Sequence, residues 1–290
     1  MRLVRCVTDV EQNDTDITVT AGETVYTVSK ISGLITQITD NGKDMLSAPV
    51  TPNIWRAPTD NDRRIKNSWI GSGYNGAGVK CYGVTAKKNG SKVKVICDIS
   101  LGAKIFMPIL KAKITYTVDG SGTLTVETEV NVRENLVFLP KFGFDFTLTP
   151  NMEDYSYFGY GPMESYSDKR LAARMGLFKG KVIDNIEHYV YPQENSSHYN
   201  TLTATVKSIA GHGLTFENGE GFEFRASHYS TKQLTEAMHD YELKPSEETF
   251  VSIDYKQSGI GSNSCGPELA EEYRLSEKKF SFTFTVKPTR

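Results

Sequence analysis

The stretch Ile114-Thr115-Tyr116-Thr117-Val118-Asp119-Gly120-Ser121-Gly122-Thr123-Leu124-Thr125-Val126-Glu127-Thr128-Glu129-Val130-Asn131-Val132 decides the fold class. Ile114, Tyr116 and Val118 alternate with threonines. Asp119 to Gly122 supplies turn chemistry, and Leu124, Val126, Val130 and Val132 then alternate with Thr and Glu. Neighbouring side chains of a strand point to opposite faces, so a period of two predicts a hairpin with one dry face. The pattern recurs outward. Phe280, Phe282, Phe284 and Val286 repeat it near the C-terminus, and Val93, Val95 and Cys97 follow a turn at Asn89-Gly90. Strands also fit residues 24–29, 142–147, 202–208 and 222–227. Short strands at this spacing predict an all-β chain, a large antiparallel β-sandwich or barrel with one or two short helices.

One helix is predicted at Ser230-Thr231-Lys232-Gln233, which reads as a capping box before an apolar stripe of Leu234, Ala237 and Met238, running to about His239. Another is predicted after Ser167-Asp168, ended by Gly176. Residues 63–83, rich in turn formers at Gly71, Gly73, Gly76 and Gly78, read as a surface excursion. No Pro/Ser-rich linker divides the chain. Residues 1–290 therefore read as one domain, with 1–14 a leader or linker into it.

Thirty-three Lys and Arg against 35 Asp and Glu give a net charge of −2 over 290 residues, leaving no basic excess for a phosphate backbone or an anionic membrane. No nucleic-acid or membrane partner is expected. The N-terminus reaches Asp9 before any apolar run of signal-peptide length, and no window has the 18 or more apolar residues of a span. The expectation is a cytoplasmic protein. Cys6, Cys81, Cys97 and Cys265 lie far apart without a C-x-x-C pair, which predicts free thiols. The five histidines show no zinc spacing, so no metal is expected.

Three segments carry more polar chemistry than strands require. In Trp55-Arg56-Ala57-Pro58-Thr59-Asp60-Asn61-Asp62, carboxylates flank an Asn beside an Arg. Such a set binds a cation or sugar hydroxyls, or forms an Asx-turn with an Arg salt bridge. Residues 158–170, with Tyr160, Glu164, Tyr166, Asp168 and Arg170, and residues 191–195, with Gln193, Glu194 and Asn195, interleave aromatic rings with polar side chains. That composition suits a pyranose, which has an apolar face and a ring of hydroxyls. It equally suits a helix capped by Asp168 and a polar turn. Residues 259–268 form a glycine-rich loop between strands with no Walker lysine and no following helix, so a loop at a site edge is expected rather than a phosphate cradle. Cys265 has no neighbouring His in sequence to activate it.

Taken in order, these segments resemble the C-terminal domain of the large β-galactosidases of glycoside hydrolase family 2, also called the β-galactosidase small chain. The resemblance rests on RAPTDND at Arg56 to Asp62, on Gly161-Pro162 with Glu164, Tyr166, Asp168 and Arg170, and on YVYPQEN at Tyr189 to Asn195. It continues through Ala226-Ser227-His228-Tyr229, Ala237-Met238-His239, Glu242-Leu243, Ile253-Asp254 and Gly259 to Pro267, from about residue 15 to 287. The resemblance implies a galactose-mutarotase-like supersandwich. It also implies a role in hydrolysing terminal β-galactosides, lactose among them, with retention, through two carboxylates about 5 Å apart. In that family both carboxylates, and the magnesium and most sodium ligands, lie in an upstream barrel that this chain lacks. The chain is then expected to be catalytically silent alone, to hold no cofactor, and to partner a catalytic large chain or upstream domains within an oligomer.

In the family's best-known members the loop matching Gly259 to Pro267 carries a Trp into the active-site mouth; Cys265 holds that position here, beside Asn263 and Ser264. A thiol has no aromatic face, so such a loop shapes the pocket sterically. Tyr160 stands where members often carry Arg, and Ser196-Ser197-His198 where the pattern usually runs Gly-x-Arg. Two other readings remain open: a carbohydrate-binding module with its own cleft, and an aldose epimerase using His239 with Glu164 or Glu194 as acid and base.

Overall fold

The computed structural model describes residues 8–289, which form two antiparallel sheets. The smaller is a meander of β1 (Thr8–Gln12), β2 (Asp16–Ala21), β3 (Thr24–Ser29), β4 (Ile35–Asp40) and β5 (Lys43–Asp44). The larger holds β6 (Leu46–Asn53), β7 (Gly78–Asn89), β8 (Lys92–Gly102), β9 (Leu110–Val118), β10 (Leu124–Val132), β11 (Lys141–Leu148), β12 (Asp154–Gly161) and β13 (Arg174–Lys181). It is completed by β14 (His198–Lys207), β15 (Gly213–Ser227), β16 (Thr249–Gln257) and β17 (Lys279–Thr289). Two short helices, α1 (Ile65–Gly71) and α2 (Thr231–Glu236), lie in connections.

The hairpin predicted first is β9–β10. Its register pairs Ile114 with Thr128 and Tyr116 with Val126, burying one face while Lys111, Lys113, Glu127 and Glu129 face water. The large sheet runs β13-β12-β14-β15-β17-β10-β9-β8-β7 and branches at β15. The first part of that 15-residue strand, Gly213 to Glu217, pairs with β17, whereas Glu223 to Ser227 pairs with β16, which leads on to β11 and β6. The branch lays β11 over β17 and β15. Phe144 meets Phe284 at 5.5 Å and Phe146 meets Phe216 at 5.0 Å between ring centroids, making the aromatic centre of the sandwich. The small sheet shares this core. Tyr26 donates to the Gly122 carbonyl at 2.7 Å and Tyr116 to the Gly33 carbonyl at 3.3 Å. Gly33, at φ +71°, has so little room that a Cβ would crowd Cys81 and Cys97.

Three local expectations need correction. Of the stretch read as a leader or linker, residues 8–12 are strand β1, whose buried Thr8 donates to the Ser91 carbonyl at 2.6 Å; residues 1–7, with Cys6, lie outside the described residues. The helix expected after Asp168 does not form. Tyr166 and Lys169 close an isolated antiparallel bridge, and β13 follows. The 63–83 excursion contains α1, because Trp69 buries its ring completely and donates to the Phe138 carbonyl at 2.9 Å; from Gly78 onward it is already strand. The capping box stands: Ser230 accepts from the Gln233 amide, although the helix ends at Glu236, short of His239. Cys81, Cys97 and Cys265 are free thiols.

Candidate functional site

The long connection between β16 and β17 contains the glycine-rich loop, and the three polar segments converge on it. Arg56 follows β6 immediately behind buried Ile54 and Trp55 and is itself fully buried. Its guanidinium forks onto Asp62, with Nε 3.1 Å from Oδ2 and Nη2 2.8 Å from Oδ1. The remaining donors reach the carbonyls of Ser258 and, at 3.0 Å, Gly259, while the cation sits 5.6 Å from the centre of the Trp69 ring. Asp62 also accepts from the Thr59 amide at 2.9 Å, closing the turn Asp60–Asp62. A planar five-donor fork suits this task, since one side chain neutralises a buried carboxylate and satisfies two loop carbonyls.

Two more side chains grip the loop. Asn61 donates to the Gly261 carbonyl at 2.7 Å and accepts from the Ser264 amide at 3.0 Å. Asp168, read above as a helix cap, accepts instead from the amides of Ile260 at 2.9 Å and Gly261 at 2.7 Å. Only glycine fits at 259, where a Cβ would lie 2.6 Å from Asp168 Oδ2. Gln193 braces the assembly by accepting from the Asp60 amide at 3.1 Å, and the Glu194 amide donates to the Ala57 carbonyl at 3.0 Å. The loop then turns tightly, with the Gly266 amide 2.7 Å from the Ser262 carbonyl, and leaves Cys265 exposed. Asn263 is nearly buried, and its Oδ1 has no hydrogen-bond partner among the described residues. A cavity of about 780 Å³, lined among others by Asn61, Arg64, Phe138, Ile260, Asn263 and Leu269, opens beside the loop.

A second cluster centres on buried Glu164. It accepts from Lys169 at 2.5 Å, Tyr189 at 2.6 Å and the Ser196 amide at 2.8 Å, with the buried Tyr166 hydroxyl at 3.5 Å. Burial, then the bond to Glu164, pushes the Tyr189 phenol up to about 12. Asn195 accepts from Ser196 Oγ at 2.7 Å, and Arg170 lies 5.0 Å over the Tyr199 ring. His198 stacks 4.0 Å from Tyr157, and burial holds its pKa down to about 3, so the ring is neutral. Glu194 lies 4.0 Å from Arg225, and neither of its carboxylate oxygens has a hydrogen-bond partner among the described residues.

Arg56, Asp60, Asn61, Asp62, Asp168, Gln193, Asn263, Ser264 and Cys265 thus share one neighbourhood, and Glu164, Tyr166, Glu194 and Asn195 lie in the polar packing around it. His239 does not join them. It is exposed, bonded to Glu242 at 3.0 Å and stacked on Tyr241, so the acid–base pairing of His239 with Glu164 or Glu194 is not formed. Buried Glu223 and Arg225 escape sequence reading, because on strand β15 they share the polar phase of the alternation with exposed Glu217; buried Lys141 and Gln257, at the start of β11 and the end of β16, were likewise not singled out. Among the described residues no three His, Cys, Asp or Glu side chains assemble as metal ligands, and no helix is long and apolar enough to cross a membrane. Asp168 directly, and Asp62 through Arg56, hold the loop in place.

A family profile described as "Beta galactosidase small chain" matches residues 20–286. The β-galactosidase of Staphylococcus xylosus is 37% identical over 279 residues, 96% of this chain and 28% of that protein. The β-galactosidase of Actinobacillus pleuropneumoniae is 37% identical over 283 residues, again 96% of this chain and 27% of that protein. The chain thus spans little more than a quarter of the length of these relatives. Among solved structures, galactose 1-epimerase from Lactobacillus acidophilus NCFM superposes with a TM-score of 0.50 at 11% identity, covering 98% of both chains, which shows the galactose-mutarotase-like fold. With the profile spanning most of the sequence and relatives at this identity, the chain belongs to the beta galactosidase small chain family.

Proposed function

We propose that this chain is the small-chain portion of a retaining glycoside hydrolase family 2 β-galactosidase, presenting the Gly259 to Pro267 loop to a catalytic large chain that supplies the reacting carboxylates. One observation carries the reading: the carboxylates at the loop and beside it are bonded by partners within this chain. Asp62 is forked by Arg56, Asp168 by two loop amides, and Glu164 by Lys169 and Tyr189. None forms the accessible acid and nucleophile pair that glycoside hydrolysis with retention needs. The same commitments make these carboxylates unsuitable magnesium or sodium ligands, so in this reading such ions belong to other domains. Exposed Cys265 sets the shape of the loop tip, where it fills space without offering a stacking face.

The test is nitrophenyl β-galactoside hydrolysis by the purified chain alone and after mixing with its large chain, together with alkylation of Cys265 by iodoacetamide followed by peptide mapping. The chain alone is expected at the buffer background. The mixture is expected to turn over substrate and to protect Cys265. Turnover near 1 s⁻¹ by the isolated chain, an ordinary enzyme rate, would show a complete site within it and overturn the division of labour.

A further inference from the structure

The turn between β8 and β9 leaves large apolar side chains in water. Ile105, 91% exposed, Phe106, and Met107, 70% exposed, stand in a row at its tip, and Ile70 is exposed on the last turn of α1. Apolar side chains scattered singly over a surface mean little, whereas three in succession on one loop mark a surface that meets a partner. The tip is held in shape. The Ile109 amide donates to the Leu101 carbonyl at 2.8 Å across its base, the Phe106 amide to the Ala103 carbonyl at 3.1 Å, and Arg133 to the Met107 carbonyl at 3.4 Å.

The tip is continuous with the cavity at the glycine-rich loop. Phe106 packs on the turn just past α1, where a Cβ on Gly73 would lie 3.2 Å from its ring. The adjoining Tyr74 donates to the Val137 carbonyl at 2.8 Å, and Trp69 to the Phe138 carbonyl at 2.9 Å. Val137 and Phe138, with Ile65 and Ser68 of α1, line the cavity of about 780 Å³ beside the Gly259 to Pro267 loop. One helix of seven residues, about 10 Å long, therefore joins the tip to the cavity. A standard interface covers about 800 Å² on each partner, roughly 30 Å across, so a partner seated on the loop reaches the tip as well.

Charge narrows the partner. Residues 63–70 and 104–107 carry four cations, Arg63, Arg64, Lys66 and Lys104, and no carboxylate. A second copy of the chain seated here about a two-fold axis would set these cations against their own counterparts, which disfavours self-association. The complement is an apolar seat rimmed by acidic side chains. We propose that Ile105, Phe106 and Met107, with Ile70, anchor this chain on such a seat of its catalytic large chain, whose surface then extends over α1 to the loop. The proposal rests on the small-chain reading and adds to it where the two chains grip.

The test is surface plasmon resonance of the chain against its immobilised large chain, comparing the parent with the double variant Ile105→Ser, Met107→Ser and with Lys104→Glu. Ile105 and Met107 lie outside the core, so the double variant is expected to unfold thermally at the parent's midpoint. Its affinity is expected to fall about tenfold or more, the scale of an apolar anchor, through faster dissociation. Lys104→Glu is expected to slow association, most strongly at low salt. If the double variant fails to fold, Lys104→Glu decides, since Lys104 is exposed. Should the large chain bind the parent and shield Cys265 from alkylation, yet bind both variants equally well, the proposal is overturned and the galactosidase reading stands. If the parent does not bind at all, both fall. A parent chain that sediments as a dimer, beside a double variant that sediments as a monomer, would overturn the proposal by assigning the tip to self-association.

Discussion

Glu223 shows how far a single position departs from its free-solution chemistry. Its carboxyl is buried opposite Asp254, with Arg56 lowering the cost and Glu194 adding to it, and its pKa stands near 8 against an ordinary 4.5. The folded state therefore holds a proton that the unfolded chain releases above about pH 4.5. The stabilisation is fully present below that value and disappears as pH rises through about 8. Asp254, whose pKa is also raised by burial, with Lys141 opposing, acts in the same direction. Urea unfolding is expected to show stability falling between pH 5 and 8, and Glu223→Gln to flatten that slope without abolishing it. An unchanged slope in the variant would mean that Glu223 titrates as an ordinary carboxylate. Arg56 illustrates the opposite case, in which one buried guanidinium meets a neighbouring carboxylate in a two-bond fork and directs its remaining donors to loop carbonyls.

At the scale of elements, the loop from Gly259 to Pro267 owes its shape to partners outside itself. Its internal bonds reduce to one tight turn at Ser262, while Arg56, Asn61 and Asp168 supply the anchoring bonds at its base. Replacing Asp168→Ala removes the acceptor of two amides and is expected to lower stability by about 1–3 kcal/mol. Limited proteolysis should then cut within residues 259–267 faster than in the parent chain. Equal cleavage rates would show that Arg56 and Asn61 hold the loop without it. Strand β11 is constrained differently. A Cβ on Gly143 would run into the Asp254 side chain and backbone, so the pairing of β11 with β16 tolerates only glycine at that point.

For the whole molecule, one apolar core runs from Ile17 and Val28 in the small sheet through Tyr116 to Phe146 and Phe284 in the large one. Shared burial couples the sheets, so thermal unfolding is expected as a single transition whose calorimetric and van't Hoff enthalpies agree. Two resolved transitions would divide the chain into separate cooperative units. By itself the sequence determined the period-two strands, the β9–β10 hairpin, the capping box at Ser230 and the family, through motifs spread along most of its length. These are consequences of local backbone geometry or of residue order, and both can be read along a line. The polar motifs could be seen but not assigned: Asp168 looked like a helix cap until the Ile260 and Gly261 amides stood in front of it. Only the tertiary structure brought Arg56 to the Ser258 carbonyl across 202 positions of chain, submerged Trp69 beneath what read as a surface excursion, and placed Glu223 against Asp254 at the branch of the sheet. The reason is physical: alternation tells which face a side chain takes, but a polar face that meets water and one that meets another layer look the same until the layers are packed.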